Sequence, residues 1–385
     1  MFYKRHILTE LEKELNTRQI VVLTGMRQVG KTTLLNYLFE QVESGNKAYF
    51  DLGNPLHRKI FEEVNYDSIW NNLRAFGISN SSRVYLFLDE VQNLPDISRS
   101  VKYLYDHWDV KFFLTGSSSF YLKNLFPESL AGRKMIFELF PLTFEEFLQF
   151  NDVRKQKESS KITYEIYLPY YKEFMEYGGF PSVVLEKDPQ RKKKLLNEIF
   201  TSYFELDVKS LADFKDISKL RDLILLLVPR IGSKIEIAKL ADSLNLSRET
   251  IYSYLSFLEQ TYFITLLSKY TRSIDRQAAG SKKLFLCDCG MANILGRTSG
   301  GQIFEQSVFQ NLRPFHKINY YSRGGENEID FVVDGKKGLE VKVSASQRDL
   351  VNLARRAQAA KISEKYLVSL EYKEEKEIIL ATDLH

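Results

Sequence analysis

The chain has 385 residues, of which 44% are hydrophobic and 27% are charged, and this composition is typical of globular proteins and excludes a largely disordered one. No run of about 18 apolar residues occurs, so we expect a cytoplasmic protein without a membrane span or a membrane partner. The net charge of +4 is compatible with a nucleic-acid partner but does not indicate one by itself. At about 100–200 residues per domain, the length predicts two or three domains.

The first candidate site is a glycine-rich segment that follows a predicted buried strand, Ile20–Thr24, and precedes a predicted helix. Its spacing, G-x-x-x-x-G-K-T, is that of a phosphate-binding loop, whose backbone N–H groups surround a phosphate chain at a helix N-terminus. Within it, Lys31 is expected to reach the terminal phosphates of ATP, and the Thr32 hydroxyl to bind Mg²⁺. The predicted nucleotide-binding residues are Gly25, Met26, Arg27, Gln28, Val29, Gly30, Lys31, Thr32 and Thr33.

A second motif lies at the end of the predicted strand Val84–Leu88, where Asp89 and Glu90 follow a run of apolar residues. A carboxylate at such a strand end can lie beside the Mg²⁺ of the phosphate loop, so Asp89 is predicted to bind the ion, through water. Glu90 is predicted to activate the attacking water as a general base. An ordinary acidic strand end is the alternative, but a phosphate loop at a βαβαβ distance upstream favours the functional interpretation.

The strand after that, residues 111–115, runs into Gly116 and three serines. Ser117 is best placed to contact the γ-phosphate or the attacking water, because the tip of this strand is expected between the metal-binding strand and the phosphate loop. The serines could equally form the N-terminal cap of a helix. The sequence leaves both interpretations open.

Residues 1–150 resemble the ATPase core of the AAA+ family, as found in many bacterial and archaeal ATPases of unassigned cellular role. The segments GMRQVGKTT, LFLDEVQNLPD, FFLTGSSS and LAGRKMIFELFPL appear in that family's order. The resemblance implies a P-loop α/β core with a parallel sheet, and an arginine finger at Arg133 that reaches the γ-phosphate of a neighbouring subunit in a homo-oligomer. A surface arginine before a strand is the alternative. The family's second sensor arginine is not identifiable, and Gly178-Gly179-Phe180-Pro181 stands in the lid region instead.

Beyond this core, residues 151–215 are predicted to form a helical lid, and residues 216–270 a winged-helix module. In the module, a turn at Asn245-Leu246 separates two amphipathic helices, and Ser247 is expected to cap the second helix. The face of that helix that would enter a DNA groove carries Arg248 and Glu249, one charge of each sign. DNA binding and a packing role therefore remain equally open for this module.

The chain has two cysteines, Cys287 and Cys289, in the segment KKLFLCDCG, which is predicted to be a strand. The two cysteines lie only two positions apart, and the chain offers too few further ligands for a zinc site. Buried structural thiols are therefore expected.

Residues 271–385 contain a third constellation of charged residues. A predicted hairpin turns at Asp334-Gly335 and carries Asp330 on its first strand and Glu340 and Lys342 on its second, with Glu305 on the preceding helix. Carboxylates and a lysine around one point can hold Mg²⁺ and polarise a water for phosphodiester attack.

The order E…D…E-x-K over these elements resembles the PD-(D/E)xK nuclease fold, as in Holliday-junction resolvases. The resemblance implies that Glu305, Asp330 and Glu340 are metal ligands and that Lys342 orients water or stabilises charge. Together, the motifs predict an ATP-hydrolysing protein that acts on DNA through a nuclease-like domain. The alternative is an ATP-dependent switch that binds a protein partner and carries an inactive nuclease fold.

Overall fold

The computed structural model describes residues 2–117, 132–156, 160–209, 217–271, 273, 280–324 and 327–384. The chain divides into two compact units, one of Met1–Phe140 with Gln260–Tyr262 and one of Pro141–Glu259 with Phe263–His385. The first unit overlaps the segment 1–150, whose extent as a domain stays a prediction. The finer boundaries predicted inside the second unit stay predictions, and the one at 215 lies outside the described residues.

The first unit is built on a five-stranded sheet of β1 (Ile20–Thr24), β2 (Lys47–Asp51), β3 (Val84–Asp89), β4 (Val110–Gly116) and β5 (Lys134–Glu138). The strand order is β2-β3-β4-β1-β5, and all paired strands are parallel. The register pairs Thr24 with Gly116 and Asp51 with Asp89, so the carboxyl ends of β1 to β4 lie at one edge of the sheet. The parallel core predicted from the sequence is confirmed.

One helix, Leu8–Lys13, precedes β1. The helices Lys31–Gln41, Pro55–Lys59, Ser68–Arg74 and Ile97–His107 connect β1 to β2, β2 to β3 and β3 to β4, as parallel pairing requires. Strands β3 and β4 are buried along nearly their whole length and read as continuous apolar runs, which is expected of a parallel sheet covered on both faces. The helix that starts at Lys31 begins directly at the end of the glycine-rich segment.

The second unit opens with helices whose core is largely aromatic. They are Phe144–Phe150, Lys161–Tyr177, Pro181–Leu185 and Pro189–Ser202, followed by a π-helical turn, Tyr203–Val208. The side chains of Phe147, Tyr171 and Phe174 are completely buried, and the rings of Phe147 and Phe174 pack edge to face with centroids 5.5 Å apart. The helical character predicted for residues 151–215 is present in the described part of that segment.

Three helices and a two-stranded hairpin follow. They are Ile217–Leu227, Ile237–Leu244 and Arg248–Gln260, then the antiparallel strands β6 (Ile264–Leu267) and β7 (Lys283–Leu286). The predicted turn is present, because Asn245 has a positive φ of 52° and the Leu246 amide donates to the Ala241 carbonyl at 3.0 Å. Ser247 caps the next helix by accepting a hydrogen bond from the Thr250 amide at 3.1 Å, as predicted.

The last part of the unit is a mixed five-stranded sheet with helices before and within it. Strands β8, β9 and β10 pair antiparallel, and β10, β11 and β12 pair parallel. The predicted hairpin turn is confirmed, since Asp334 and Gly335 both have positive φ. The elements are the helices Cys289–Leu295, Gly300–Leu312 and Gln347–Ala360 and the strands β8 (Ile318–Arg323), β9 (Asn327–Val333), β10 (Lys337–Lys342), β11 (Glu364–Ser369) and β12 (Ile378–Leu380).

The strand predicted across both cysteines was wrong in its extent. Strand β7 ends at Leu286, and Cys289 is the first residue of a helix capped by Asp288, whose carboxylate accepts from the Met291 amide at 3.2 Å. The capping aspartate ends the strand before the second cysteine, a signal that the apolar run obscured. Both thiols are completely buried, as expected.

The carboxylate of Asp288 is itself fully buried and ties three segments of the second unit together. It accepts hydrogen bonds from the Gly179 amide at 2.7 Å and from the Gln310 amide nitrogen at 2.9 Å. Burial raises its pKa, against the lowering by these donors. The consecutive glycines at 178 and 179 thus have a structural role, because a Cβ on Gly178 would lie 1.8 Å from Asp288 Oδ1.

We expect Gly178→Ala to destabilise the protein by about 2–4 kcal/mol, because its backbone conformation strains an alanine and the added Cβ overpacks the core. Gly178 has a φ of 77°, so the alanine is strained as well as in collision with a buried carboxylate. Urea unfolding followed by the near-ultraviolet signal of the second unit's aromatic core measures this loss.

The matched control is Gly324→Ala, at a φ of 68° where an added Cβ meets no described atom within 4 Å. It carries the backbone cost alone. Equal losses for the two variants would show that the contact with Asp288 is unimportant.

Candidate active site

The glycine-rich loop has the backbone geometry that its sequence predicts. Gly25 and Gly30 have φ values of 149° and 102°, which side chains rarely adopt. At Gly25 space is also decisive, because a Cβ there would lie 2.1 Å from the carbonyl oxygen of Leu139. Arg5 braces the same loop by donating to the Val29 carbonyl at 2.9 Å. The loop is therefore held by its close approach to Leu139 and by the hydrogen bond from Arg5.

Lys31 lies inside this loop with only 5% of its surface exposed. Its ammonium donates to the carbonyl oxygens of Gly25 and Met26, both at 2.9 Å. The side chain of Lys31 is thus folded back onto the loop, with its ammonium beside Gly25 and Met26. The predicted role of Lys31 places the terminal phosphates of a nucleotide next to this ammonium.

Asp89 is the meeting point of the loop and three strand ends. Its Oδ2 accepts from the hydroxyls of Thr32 and Tyr49, each at 2.7 Å. Its Oδ1 accepts from the Thr115 hydroxyl and, at 3.1 Å, from the Glu90 amide. With 3% of its surface exposed, the carboxylate is fully engaged, and a hydroxyl beside a carboxylate is an oxygen donor set that suits Mg²⁺.

Sequence reasoning missed Tyr49 and Thr115. Burial and the charge of Asp89 raise the pKa of Tyr49, so its hydroxyl stays protonated and donates to that carboxylate. The pairing of β2 with β3 explains the position of Tyr49. Asp51 pairs with Asp89, and Tyr49, two residues before Asp51, lies on the same face of β2 as Asp51 and so on the face of Asp89.

Glu90 and Ser117 are linked through Gln92. The Gln92 amide nitrogen donates to the Glu90 carboxylate and, at 3.1 Å, to the Ser117 hydroxyl. Glu90 adopts a positive φ of 54°, and its Oε2 lies 3.7 Å from a guanidinium nitrogen of Arg27. The structure therefore brings Ser117, Glu90 and a loop residue together at the predicted edge. The serines that follow Ser117 lie outside the described residues.

Arg133 lies at the other edge of the sheet. It precedes β5, and its carbonyl accepts from the amide of Ile20, the first residue of β1. Its guanidinium pairs with Asp106 at 2.7 Å. The structure thus does not bring Arg133 together with the chain's own phosphate loop, and its role toward a neighbouring subunit stays a prediction.

In the second unit, Glu305 and Asp330 do meet, but around a lysine that sequence reasoning missed. The Lys283 ammonium lies 2.6 Å from Glu305 Oε1, 3.2 Å from Glu328 Oε1 and 3.2 Å from Asp330 Oδ1. We call these four residues the Lys283 cluster. Burial alone would lower the pKa of Lys283, but the three carboxylates outweigh it and raise the value. Burial and Asp330 raise the pKa of Glu305 to about 7, against the lowering by Lys283.

Glu340 has other partners. Its two oxygens pair with Lys342 Nζ at 3.0 Å and with a guanidinium nitrogen of Arg356 at 2.7 Å. Asp330 contacts the strand of Glu340 and Lys342 through Oδ2, the oxygen that does not face Lys283. This oxygen accepts a hydrogen bond from the Val341 amide at 2.9 Å. The predicted E-x-K residues therefore share one face, but their charges neutralise each other.

The predicted magnesium ligands of the second unit do not fit a metal in this arrangement. Within the described ranges, no three histidine, cysteine, aspartate or glutamate side chains are arranged to hold a metal ion. The Lys283 ammonium lies among Glu305, Glu328 and Asp330, and cations hold both oxygens of Glu340. The metal-binding role of Glu305, Asp330 and Glu340 stays a prediction that this geometry does not support.

Among the helices in the described ranges, none is both long enough and apolar enough to cross a membrane. The family model described as an AAA domain matches residues 17–148. A second model, a domain of unknown function (DUF8612), matches residues 168–301.

Full-length relatives resemble the chain over both units. The uncharacterised protein MJ1544 of Methanocaldococcus jannaschii is 30% identical over 345 residues, which cover 87% of this chain and 76% of that protein. An uncharacterised protein of Haemophilus influenzae is 27% identical, over 86% of this chain and 84% of its own length.

Among solved structures, the Aeropyrum pernix ORC1 protein in complex with DNA aligns with 77% of this chain and 92% of its own at 12% identity, with a TM-score of 0.36. A TM-score this low does not establish a shared overall fold. The relative at 30% identity does establish membership: this chain belongs to the family of the Methanocaldococcus jannaschii protein MJ1544, and its residues 17–148 match the AAA domain model.

Proposed function

We propose that the chain binds ATP together with Mg²⁺ and hydrolyses it at the edge of the parallel sheet. The observation that carries this proposal is the 2.7 Å hydrogen bond between the Thr32 hydroxyl and the Asp89 carboxylate. It joins the phosphate loop to the end of β3, as a site for a nucleotide-bound cation requires. Bound there, the cation would neutralise charge that develops on the phosphates.

The residues of the site then have separate roles. Lys31 leaves its loop carbonyls to contact the terminal phosphates, and the amides of the loop hold the phosphate chain. Thr32 and Asp89 hold the cation. Glu90 takes the proton of the attacking water, and Gln92 orients Glu90 relative to Ser117. Arg133 serves a neighbouring subunit of a homo-oligomer, which requires it to leave Asp106.

The second unit binds the partner of this ATPase, and ATP binding and hydrolysis in the first unit control that binding. The order of its last elements, one helix, three antiparallel strands, a helix and a parallel strand, supports the PD-(D/E)xK-like fold, and the three helices with a hairpin before it support a winged-helix module. Lys283 lies among the three carboxylates of its cluster, and both oxygens of Glu340 are paired with Lys342 and Arg356. This favours an ATP-dependent switch whose nuclease-like domain binds a partner and does not cleave.

DNA cleavage is the second candidate function. The observation in its favour is the common face of Glu340 and Lys342 on β10, next to Asp330 on the paired strand β9. DNA as the partner and a protein as the partner differ in one property: only DNA binding weakens steeply with salt, because counterions are released.

Glu90→Gln should bind ATP normally and hydrolyse it at least about 100-fold more slowly, because the general base is lost while the phosphate contacts remain. Turnover and binding of a fluorescent ATP analogue measure the two effects. Lys31→Ala should lose binding itself, and the exposed Glu62→Gln should match the wild type. Wild-type turnover in Glu90→Gln would remove this residue as the base.

Tyr49→Phe should raise the Mg²⁺ concentration for half-maximal turnover by about ten-fold, because a partner that orients a metal-binding carboxylate is lost. The apparent affinity for nucleotide should change far less, since Tyr49 contacts Asp89 and not the loop. Tyr85→Phe, on the neighbouring strand with its ring beside Arg83, is the matched control. An unchanged Mg²⁺ requirement would assign Tyr49 a purely structural role.

The wild-type chain should leave linear and branched DNA intact in Mg²⁺ or Mn²⁺, with or without ATP. Cleavage that disappears in both Asp330→Ala and Lys342→Ala would instead establish the nuclease. ATP turnover measured with and without DNA at two salt concentrations then identifies the partner. Turnover that DNA stimulates only at low salt supports DNA as the partner, and turnover indifferent to DNA supports a protein.

A further inference from the structure

The Lys283 cluster has the form of a cation site whose cation is a side chain. Lys283 lies on β7, and its ammonium lies between 2.6 and 3.2 Å from one oxygen of each of three carboxylates. Glu305 comes from the helix Gly300–Leu312, and Glu328 and Asp330 from β9. Three separate elements thus converge on one positive charge, of which only 1% of the side chain is exposed.

The surroundings hold this arrangement closed. Gly232 has a φ of 73°, and a Cβ on it would lie 2.6 Å from the second oxygen of Glu305. Its amide donates to the Leu284 carbonyl at 2.9 Å, so the backbone around Gly232 covers Glu305 from the side of β7. Lys234, which forms a β-bridge with Lys283, pairs with the second oxygen of Glu328 at 2.7 Å.

The charge of the cluster and its N–O distances both suit a lysine ammonium in the position that a metal ion would otherwise occupy. Three carboxylates this close repel one another unless a cation lies among them, and burial makes that requirement stronger. The carboxylate oxygens lie about 3 Å from the centre of the cluster, which matches the N–H···O distance of an ammonium. Mg²⁺ requires its oxygen ligands at about 2.1 Å, so these oxygens lie too far from the centre to bind it. A divalent ion would have to displace Lys283 and draw the carboxylates inward.

We propose that the Lys283 ammonium is the resident cation of this cluster, that it excludes divalent metal from the C-terminal domain, and that its removal converts the cluster into a divalent-cation site. The inference refines the non-cleaving domain of the proposed function, but it concerns the second unit alone. Its test uses nucleotide-free protein, so a failure of the ATPase proposal leaves its outcome unaffected.

The experiment is a Mn²⁺ titration of the full chain without nucleotide, followed by electron paramagnetic resonance. Wild type and Asp330→Asn should bind Mn²⁺ equally weakly. Lys283→Ala should gain one bound Mn²⁺ per chain, at least about ten-fold tighter than any wild-type site, because a unit positive charge within about 3 Å of the carboxylates is removed. The double variant Lys283→Ala with Asp330→Asn should lose that ion again.

Lys282→Ala is the matched control, since this neighbouring lysine donates to the Ser268 hydroxyl at 2.6 Å. It should bind Mn²⁺ as the wild type does. Thermal unfolding provides a second readout: Lys283→Ala should melt lower than wild type without metal and recover when Mn²⁺ is added, whereas Lys282→Ala should not respond.

Two results would overturn the proposal. One is a wild-type chain that binds one Mn²⁺ per chain and loses it in Asp330→Asn, because the carboxylates would then hold metal in the presence of Lys283. This comparison needs no Lys283 variant and stands even where that variant does not fold. The other is a folded Lys283→Ala chain that binds no more Mn²⁺ than the wild type.

Discussion

The hydrogen bonds of Asp89 connect the parts of the first unit on which its chemistry depends. A carboxylate with almost no exposed surface requires donors, and Asp89 finds them on the helix after the phosphate loop, on β2 and on β4. Because the carboxyl ends of these parallel strands lie at one edge, each donor arrives from a different element without long loops. A shift of any of these strands by one residue would turn a hydroxyl away and leave the carboxylate buried without that donor.

The second unit buries carboxylates by two other physical means. Asp288 accepts hydrogen bonds from amide donors of Gly179, Met291 and Gln310, and so joins segments far apart in the chain. Glu305 and Asp330 instead share the positive charge of Lys283. The difference matters for function, since amide donors leave a carboxylate in a fixed structural role, whereas Lys283 occupies the position that another cation would need.

Local sequence patterns predicted where the residues of the first candidate site lie in the fold. The loop spacing, the apolar strands and the acidic residues after β3 are contiguous signals, and the structure places Lys31, Thr32, Asp89 and Glu90 at one edge of the sheet, as expected. The turn at Asn245, the cap at Ser247 and the hairpin at Asp334-Gly335 are equally local and were also predicted. What these features share is that the physics of each one lies within a few neighbouring residues.

The features that were missed depend on which distant residues meet. Tyr49 and Thr115 reach Asp89 through strand pairing, and Lys283 reaches Glu305 and Asp330 from another part of the unit. The acidic residues of the third constellation were correctly grouped in part, but their cation lay in an apolar segment, KKLFL, that the sequence marks only as a strand. A lysine at the start of such a run carries no local signal of its partners.

The burial of both cysteines has a practical consequence. The chain contains two thiols, and both are completely buried, with burial raising the pKa of each thiol well above its ordinary range. Since the thiolate is the reactive form, the two native cysteines of the folded protein should react very slowly with maleimide and related thiol reagents. A cysteine introduced on the surface can therefore be labelled selectively with a fluorophore or spin label. The slow rate at which the two native cysteines are modified then measures how often the second unit opens.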